Sequence, residues 1–358
     1  MGEAYGTQPM KPAKFSEPAP LAAPCPAEPG GGATLPTQLP AFRDAVTETF
    51  LADAILRPVA VRSGDGAEAS LPLCRARGPF ARWRVVGSRE VFEPVDAQGE
   101  PMDLLARELA RDARPLDFDR VPANSPLVPA LAEAMRGHGW LVARPAQPRP
   151  LITLPPDLAD PLALFNAGRR SDFRRAQRKA ERHGAVACEI LSPTPAEFDA
   201  LFDEAIAVES HSWKRAAGSA LEVDRSKQDF FRRFLGACCG DGLTRIAFLR
   251  IAGQPAAMQL ALEWRERFWL FKIGYDEAWR DCSPGNLLML HTLEYAARKG
   301  LRSYELLGNV ERWIALLWTG EQLPCLRLRT YPRSLRGLVA LAGDGCAAGL
   351  AKLRRGEP

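Results

Sequence analysis

The sequence has no Cys-x-x-Cys pair and only four histidines in 358 residues. Its eight cysteines are scattered from Cys25 to Cys346. That pattern excludes a zinc module and a disulfide framework, and it points to reduced thiols and no metal. No apolar run reaches membrane length, and the first residues lack the apolar stretch of a secretory leader. The expected compartment is the cytoplasm. Charge is almost balanced, with 47 Lys and Arg against 43 Asp and Glu. Bulk charge therefore implies neither nucleic acid nor membrane as a partner. No Gly-x-Ser-x-Gly string occurs, so no serine elbow is expected.

What is present is enough apolar residue for real cores, 46% of the chain, and a length that suits two domains better than one. The stretch from Phe268 to Gly308 organises the reading. Phe268 to Ile273 is a short aromatic apolar run and reads as a buried strand. A polar loop follows from Asp276 to Ser283. Ser283 suits an N-cap, Pro284 the first helical position, and Leu287, Leu290, Leu293 and Ala297 recur at helical spacing. Gly300 closes the helix, and a strand is expected over 301–307. A bare helix start after a strand is an anion site, because its first amides lack acceptors and the dipole is positive there. Ser283, Pro284, Gly285 and Asn286 are the expected phosphate-binding residues.

Four segments are expected. Residues 1–38 are rich in Pro, Ala and Gly and read as a disordered tail. Residues 39–155 form an N-terminal α+β unit with a hairpin across Ser63 to Gly66. Residues 156–333 form a second unit. In it Thr194-Pro195-Ala196-Glu197 is a capping box, followed by two helices, a three-stranded antiparallel meander, the Ser-Pro-Gly helix and a last strand over 325–331. Residues 334–358 form a weakly helical tail. Both halves share one order of elements, which suggests a repeated α+β unit. The first half has Gly99-Glu100-Pro101 where the second has Ser-Pro-Gly, so an acid stands where an anion would bind. The first half is expected to be scaffold.

An antiparallel meander, a glycine-containing loop opening a helix, and a further strand resemble the core of the GNAT acyltransferases. More closely, the chain resembles the FemAB-like branch with tandem GNAT units, and within it the CelD-type proteins associated with cellulose and exopolysaccharide synthesis. The strings that carry this are Ser171-Asp172-Phe173-Arg174-Arg175, Glu209-Ser210-His211-Ser212-Trp213-Lys214, Lys272-Ile273-Gly274-Tyr275-Asp276-Glu277, Ser283-Pro284-Gly285 and Tyr304-Glu305-Leu306-Leu307-Gly308. The layout extends over about 35–331, and the specific strings fall within 171–318. Where that family often has Asp in the last string, this chain has Glu305.

The resemblance implies tandem acyl-coenzyme A-dependent units of mixed, mainly antiparallel sheet flanked by helices. It implies acetyl-coenzyme A as co-substrate and a sugar or polysaccharide precursor as acceptor. Two alternatives stand beside it: a Fem-type transferase using aminoacyl-tRNA, and a non-catalytic assembly factor for polysaccharide synthesis.

Acyl transfer from a thioester needs positioning, a base and a donor for the departing thiolate. Tyr275 and Asp276 follow the third meander strand and are candidates for thiolate protonation and acceptor deprotonation. Glu209, near Trp213 and Lys214, is a second candidate base beside an acceptor site, and Glu305 is a further candidate carboxylate. Lys272 lies inside an apolar run and is expected to face a cleft, paired with Asp276 or Glu305. Seven Arg and Lys between Arg169 and Arg182 stand against Asp172 and Glu181. This segment suits an acidic partner or a membrane surface, while its sparse aromatics argue against nucleic acid.

Overall fold

The computed structural model describes residues 34–158, 160–212, 224–308 and 312–355. The proposed acceptor residues Trp213 and Lys214, and most of the expected N-terminal tail, lie outside them. The fold class is α+β, as the sequence indicated.

The first half runs α1 (Pro40–Phe50), β1 (Ile55–Arg62), β2 (Glu68–Arg75), β3 (Arg84–Val85), β4 (Gln98–Gly99), α2 (Met102–Ala110), β5 (Asp117–Pro122), α3 (Leu127–Ala134) and β6 (Gly139–Thr153). The second runs α4 (Ala167–Glu181), β7 (Val186–Leu191), α5 (Pro195–Ser210), α6 (Arg225–Cys239), β8 (Thr244–Ile251), β9 (Gln254–Trp264), β10 (Arg267–Tyr275), α7 (Pro284–Arg298), β11 (Ser303–Glu305), α8 (Arg312–Leu317), β12 (Gln322–Pro332) and α9 (Leu335–Arg355). β1 to β4 make a small antiparallel sheet. The other eight strands form one continuous sheet, in the order β5-β12-β6-β11-β10-β9-β8-β7.

Two expected boundaries need correction, and the C-terminal tail is helical from the position expected. Leu35, Thr37 and Gln38 are buried, and the Gln38 amide donates to Ala97 O, so packed structure begins before residue 39. β12 does not close the second unit. It inserts between β5 and β6, antiparallel to both, so the chain's last strand completes the first half's sheet. The expected weakly helical tail is a 21-residue helix, α9.

β6 also runs through Pro145, Pro148 and Pro150, where sequence logic would end a strand. Up to Pro150 it has β12 on one side only, and β11 joins at Leu151 to Thr153. On an open edge a missing N–H costs no ladder bond.

β9 shows why the central sheet is stable. Residues 256–262 are all buried, because helices cover both faces. On one face α5, α6 and α1 contribute Phe202, Phe230, Phe234 and Phe42, and the Phe42 ring meets Phe230 and Phe234 edge-on at 5.2 Å. On the other, α7 lays Leu287, Leu288, Met289, Leu293 and Ala296 against the strands, and α4 packs beside it. α7 begins at Pro284 as expected, and Gly300, at φ +68°, follows its last turn.

Candidate active site

β10 is paired differently on its two edges. Against β9 the ladder runs on to Tyr275, with a bulge between Leu270 and Lys272. Against β11 it is parallel and covers only Arg267 to Trp269. β11 then leaves with β6, the Leu306 amide donating to Pro150 O at 3.1 Å. Among the described residues, Leu270 to Tyr275 have no strand beside them on that edge. The two strands therefore part beyond Trp269, which leaves a wedge in the ladder towards the C-terminal end of β10.

Side-chain alternation assigns the wedge's two sides. On the α7 side, a Cβ at Gly285 would lie 3.5 Å from Tyr275 Cδ1 and 3.9 Å from Ile273 Cδ1. The first turn of α7 therefore ends against Tyr275. On the α5 side, a Cβ at Gly274 would lie 3.0 Å from Glu209 Cγ, 3.1 Å from its Cβ and 3.3 Å from its Cα. Glu209 is fully buried, and its helix lies directly on the glycine. Gly274→Val is expected to push α5 off β10 and to cost about 1–3 kcal/mol in chemical denaturation, as overpacking does.

The expected cradle of bare amides is narrower than the sequence suggested. Residues Glu277–Cys282 wind a 3-10 turn. Its Ala278 amide donates to Asp276 Oδ1, Trp279 to Asp276 O, and the following Ser283 amide to Arg280 O. Ser283 adopts φ +49°, and its hydroxyl makes no cap bond; its carbonyl accepts from both Asn286 and Leu287. Pro284 is buried and has no N–H. The amide left over in the first turn is that of Gly285, at the positive end of a 15-residue helix.

Positive charge comes from α4, which packs on α7 and on the 3-10 turn. Lys179 lies near enough to Cys282 to act on its thiol electrostatically, and the His183 ring meets Trp279 edge-on at 5.5 Å. Burial still pushes the Cys282 thiol up, so it is no nucleophile. Part of the basic stretch is internally paired: Arg175 and Arg169 with Asp172, and Arg170 with Phe165 O.

The Tyr275 phenol is raised above its ordinary value, by desolvation first and by the neighbouring Glu277 charge next. It stays protonated at neutral pH. Asp276 is not a free base, because Oδ1 caps the 3-10 turn and Oδ2 lies 3.6 Å from His211 Nδ1. It anchors the loop to the end of α5, where the Glu277 amide also donates to His211 O.

Glu305 is corrected more strongly. It is level with Trp269, six residues back along β10, or about 20 Å from Tyr275. It is fully buried, 2.9 Å from Arg267 Nη1, 3.4 Å from Arg149 Nε and 2.7 Å from the Ser303 hydroxyl. It is an internal counter-ion and not a base at the wedge. Lys272 has neither expected partner: its ammonium lies 5.7 Å from the centre of the Phe231 ring and acts on Glu93 and Asp224.

Glu93 is the residue that sequence reasoning missed. It comes from the first half, in the loop before β4, and is buried. Both its oxygens accept from the Gly308 amide, at 3.0 and 3.2 Å, just beyond β11. Burial raises its carboxyl to about 7, against the opposing pull of Arg120, the Gly308 amide, Lys272 and Arg149. The preceding Phe92 has φ +63°, a costly conformation for an aromatic residue. The only hint in the sequence is the loop's own Val-Phe-Glu-Pro string, which carries no periodicity.

A surface hollow of about 350 Å³ is lined by Cys188, His291, Glu294, Tyr295 and Lys299. It lies on the later turns of α7, away from the wedge. Among the described residues no group of His, Cys, Asp and Glu could hold a metal ion.

Residues 167–313 match a family model described as an acetyltransferase (GNAT) domain. No curated protein sequence matches the chain. Among solved structures, it is similar to the C-terminal domain (DUF2156) of a putative lysylphosphatidylglycerol synthetase from Agrobacterium fabrum. The identity is 15%, the match covers 84% of this chain and 90% of that one, and the TM-score is 0.52. It is also similar to FemX, with 11% identity, coverage of 85% and 93%, and a TM-score of 0.52. A conserved protein of unknown function from Bacteroides thetaiotaomicron is similar at 14% identity, with coverage of 81% and 90% and a TM-score of 0.50. At these identities the structural likeness concerns the fold alone, and the GNAT match is that of residues 167–313.

Proposed function

We propose that this chain transfers an acyl group, acetyl in the simplest case, from acyl-coenzyme A to an amine or hydroxyl. The observation that carries the reading is the wedge beside β10, with the Gly285 amide at one mouth and buried carboxylates on the other side of the strand. A thioester entering from the α7 side would rest its diphosphate on the Gly285 amide and the positive helix end, with Lys179 nearby. Coenzyme A supplies the activated carbonyl and a thiolate leaving group. Tyr275, kept protonated, donates a proton to that thiolate. On the opposite side Glu93 accepts the proton of the attacking amine or hydroxyl, with Glu209 as the second carboxylate of the acceptor site and Lys272 holding Glu93's charge. Ser283, Pro284 and Asn286 shape the turn that presents Gly285. The sugar or polysaccharide nature of the acceptor, and any CelD-type role, rest on sequence resemblance alone.

Release of the free thiol from acetyl-coenzyme A, measured with a panel of amino sugars and simple amines, tests the reading. Only the Glu93 carboxylate can take a proton, so kcat/KM is expected to rise with pH through about 7 and to level above it. Glu93→Gln is expected to lower kcat about 10²-fold or more and to remove that step. A stability measurement provides a separate check. Between the ordinary carboxyl value of 4.5 and about 7, the folded chain holds a proton that the unfolded chain has lost. Stability therefore falls as pH rises through this window, and Glu93→Gln removes this carboxyl's share of the slope, leaving the share of buried Asp96, which is also raised to about 7. Binding of charged tRNA without any binding of coenzyme A would favour the aminoacyl-tRNA alternative instead. Binding of neither would favour an assembly role.

A further inference from the structure

α9 is amphipathic in the unusual sense that its apolar face points outward. Its inner ridge is small. A Cβ at Gly337 would lie 1.9 Å from Pro332 O, and Ala340 O accepts from Arg82. Asp344, the helix's one acid, is held by Arg82 at 2.7 Å, by Arg329 at 3.0 Å and by the Tyr331 hydroxyl at 2.6 Å. With Gly337, Ala340 and Asp344 facing β12, the opposite side carries Leu335, Leu338 and Val339, with relative exposures of 73%, 51% and 43%. Ala342 and Cys346 on the same side are also exposed. Every other long helix described here buries its large apolar residues.

The surroundings of this ridge are cationic. Trp140 stands directly opposite Tyr331 in the β6–β12 ladder, so both side chains project to the face that α9 covers, and Trp140 is 47% exposed. The Ser334 hydroxyl donates to Ala113 O at 2.6 Å, which brings Arg114 to the helix start. The Arg114 guanidinium is depressed, by desolvation and then by the charges of Arg75 and Arg336, against the opposing pull of Asp112. Those three arginines therefore crowd one end of the ridge, beside exposed Arg333.

We infer that α9 is a surface anchor that lies on an anionic lipid bilayer, its Leu335, Leu338 and Val339 ridge entering the headgroup boundary and its flanking arginines meeting lipid phosphates. The charge pattern selects this occupant. The only acid on the helix is turned inward and neutralised, so the helix's own outward surface pairs apolar side chains with Arg336 and no acid, the composition of an interfacial helix. A second copy is a poor occupant, because a two-fold contact would set the Arg75, Arg114 and Arg336 cluster against itself. No helix among the described residues is long and apolar enough to cross a membrane, so α9 lies along the surface.

Flotation of the full chain with vesicles is the test. The chain is expected to rise with phosphatidylcholine vesicles that contain phosphatidylglycerol, to stay behind with phosphatidylcholine alone, and to be released by added salt. Arg336→Glu is expected to weaken binding about tenfold or more, since two units of charge are reversed near the surface. Leu338→Asp with Val339→Asp is expected to abolish it, with the thermal melt and acetyl-coenzyme A binding unchanged, because both side chains already face water. Equal binding to both vesicle types would overturn the inference, as would no binding to either. So would a concentration-dependent dimer in sedimentation that the same substitutions dissolve.

Discussion

Gly285→Glu is expected to leave the chain folded and to weaken acetyl-coenzyme A binding about a hundredfold or more, near 3 kcal/mol. The two effects separate for a structural reason. A Cβ at this position makes ordinary contacts, 3.5 Å to Tyr275 and 3.9 Å to Ile273, and Gly285 is not among the residues with positive φ. Replacing glycine inside a helix gains up to about 1 kcal/mol, and a carboxylate in the first turn is favoured by the dipole. Stability should therefore hold or rise. The same carboxylate would occupy the positive helix end that the diphosphate needs, and it would repel it. Gly285→Ala is the control: it has the same backbone gain and no charge, and it should bind within a few-fold of the parent. Thermal denaturation and calorimetry on the three proteins check the pattern. A Gly285→Glu variant that binds as well as the parent would remove the anion site from the account.

Glu305→Ala is expected to destabilise the chain by about 3–5 kcal/mol, the cost of leaving buried charge without its partner. Arg267 and Arg149 both face this carboxylate, and the Arg149 guanidinium also lies 5.4 Å from the centre of the Trp269 ring. Removing the acid takes away the carboxylate that Arg149 and Arg267 share between β6, β10 and β11, where the two halves of the chain share one sheet. Glu305→Gln keeps the shape and part of the hydrogen bonding to Ser303 and Arg267, so its loss should be smaller. Chemical denaturation measures both. The folded fraction of either variant should still bind acetyl-coenzyme A, and its kcat should change by less than that of Glu93→Gln. A catalytic Glu305 would give the reverse order, with little loss of stability and a large loss of kcat.

How far the sequence reached depended on the range of the forces involved. The meander and α7 were legible because their signals are local: alternation in β8 to β10, turns at Gly253 and at Arg265-Glu266, Pro284 at the start and Gly300 at the end. Tyr275, Asp276 and Gly285 are near one another along the chain and stay so in the fold, whereas the packing of Glu209 on Gly274 had no signal in the sequence. The conformation of Ser283 did not follow, because a serine before a proline looks like a cap whether or not it is left-handed. The role of Glu305 was misread because burial is not written in one residue; it depends on Arg149, contributed from 156 positions earlier. The same holds for β12, whose partners β5 and β6 lie about 200 residues away in sequence, a pairing that no local pattern encodes. Glu93 is the extreme case, an ordinary loop acid made significant only by Gly308 and Lys272 from the other half.

The most direct test is a crystal structure of the chain with coenzyme A bound. A diphosphate oxygen is expected within hydrogen-bond distance of the Gly285 amide, with the pantetheine arm passing between β10 and the chain after β11 and the thiol on the Tyr275 side. A coenzyme bound elsewhere on the surface, or a first turn of α7 closed by side chains with the wedge filled, would contradict the account.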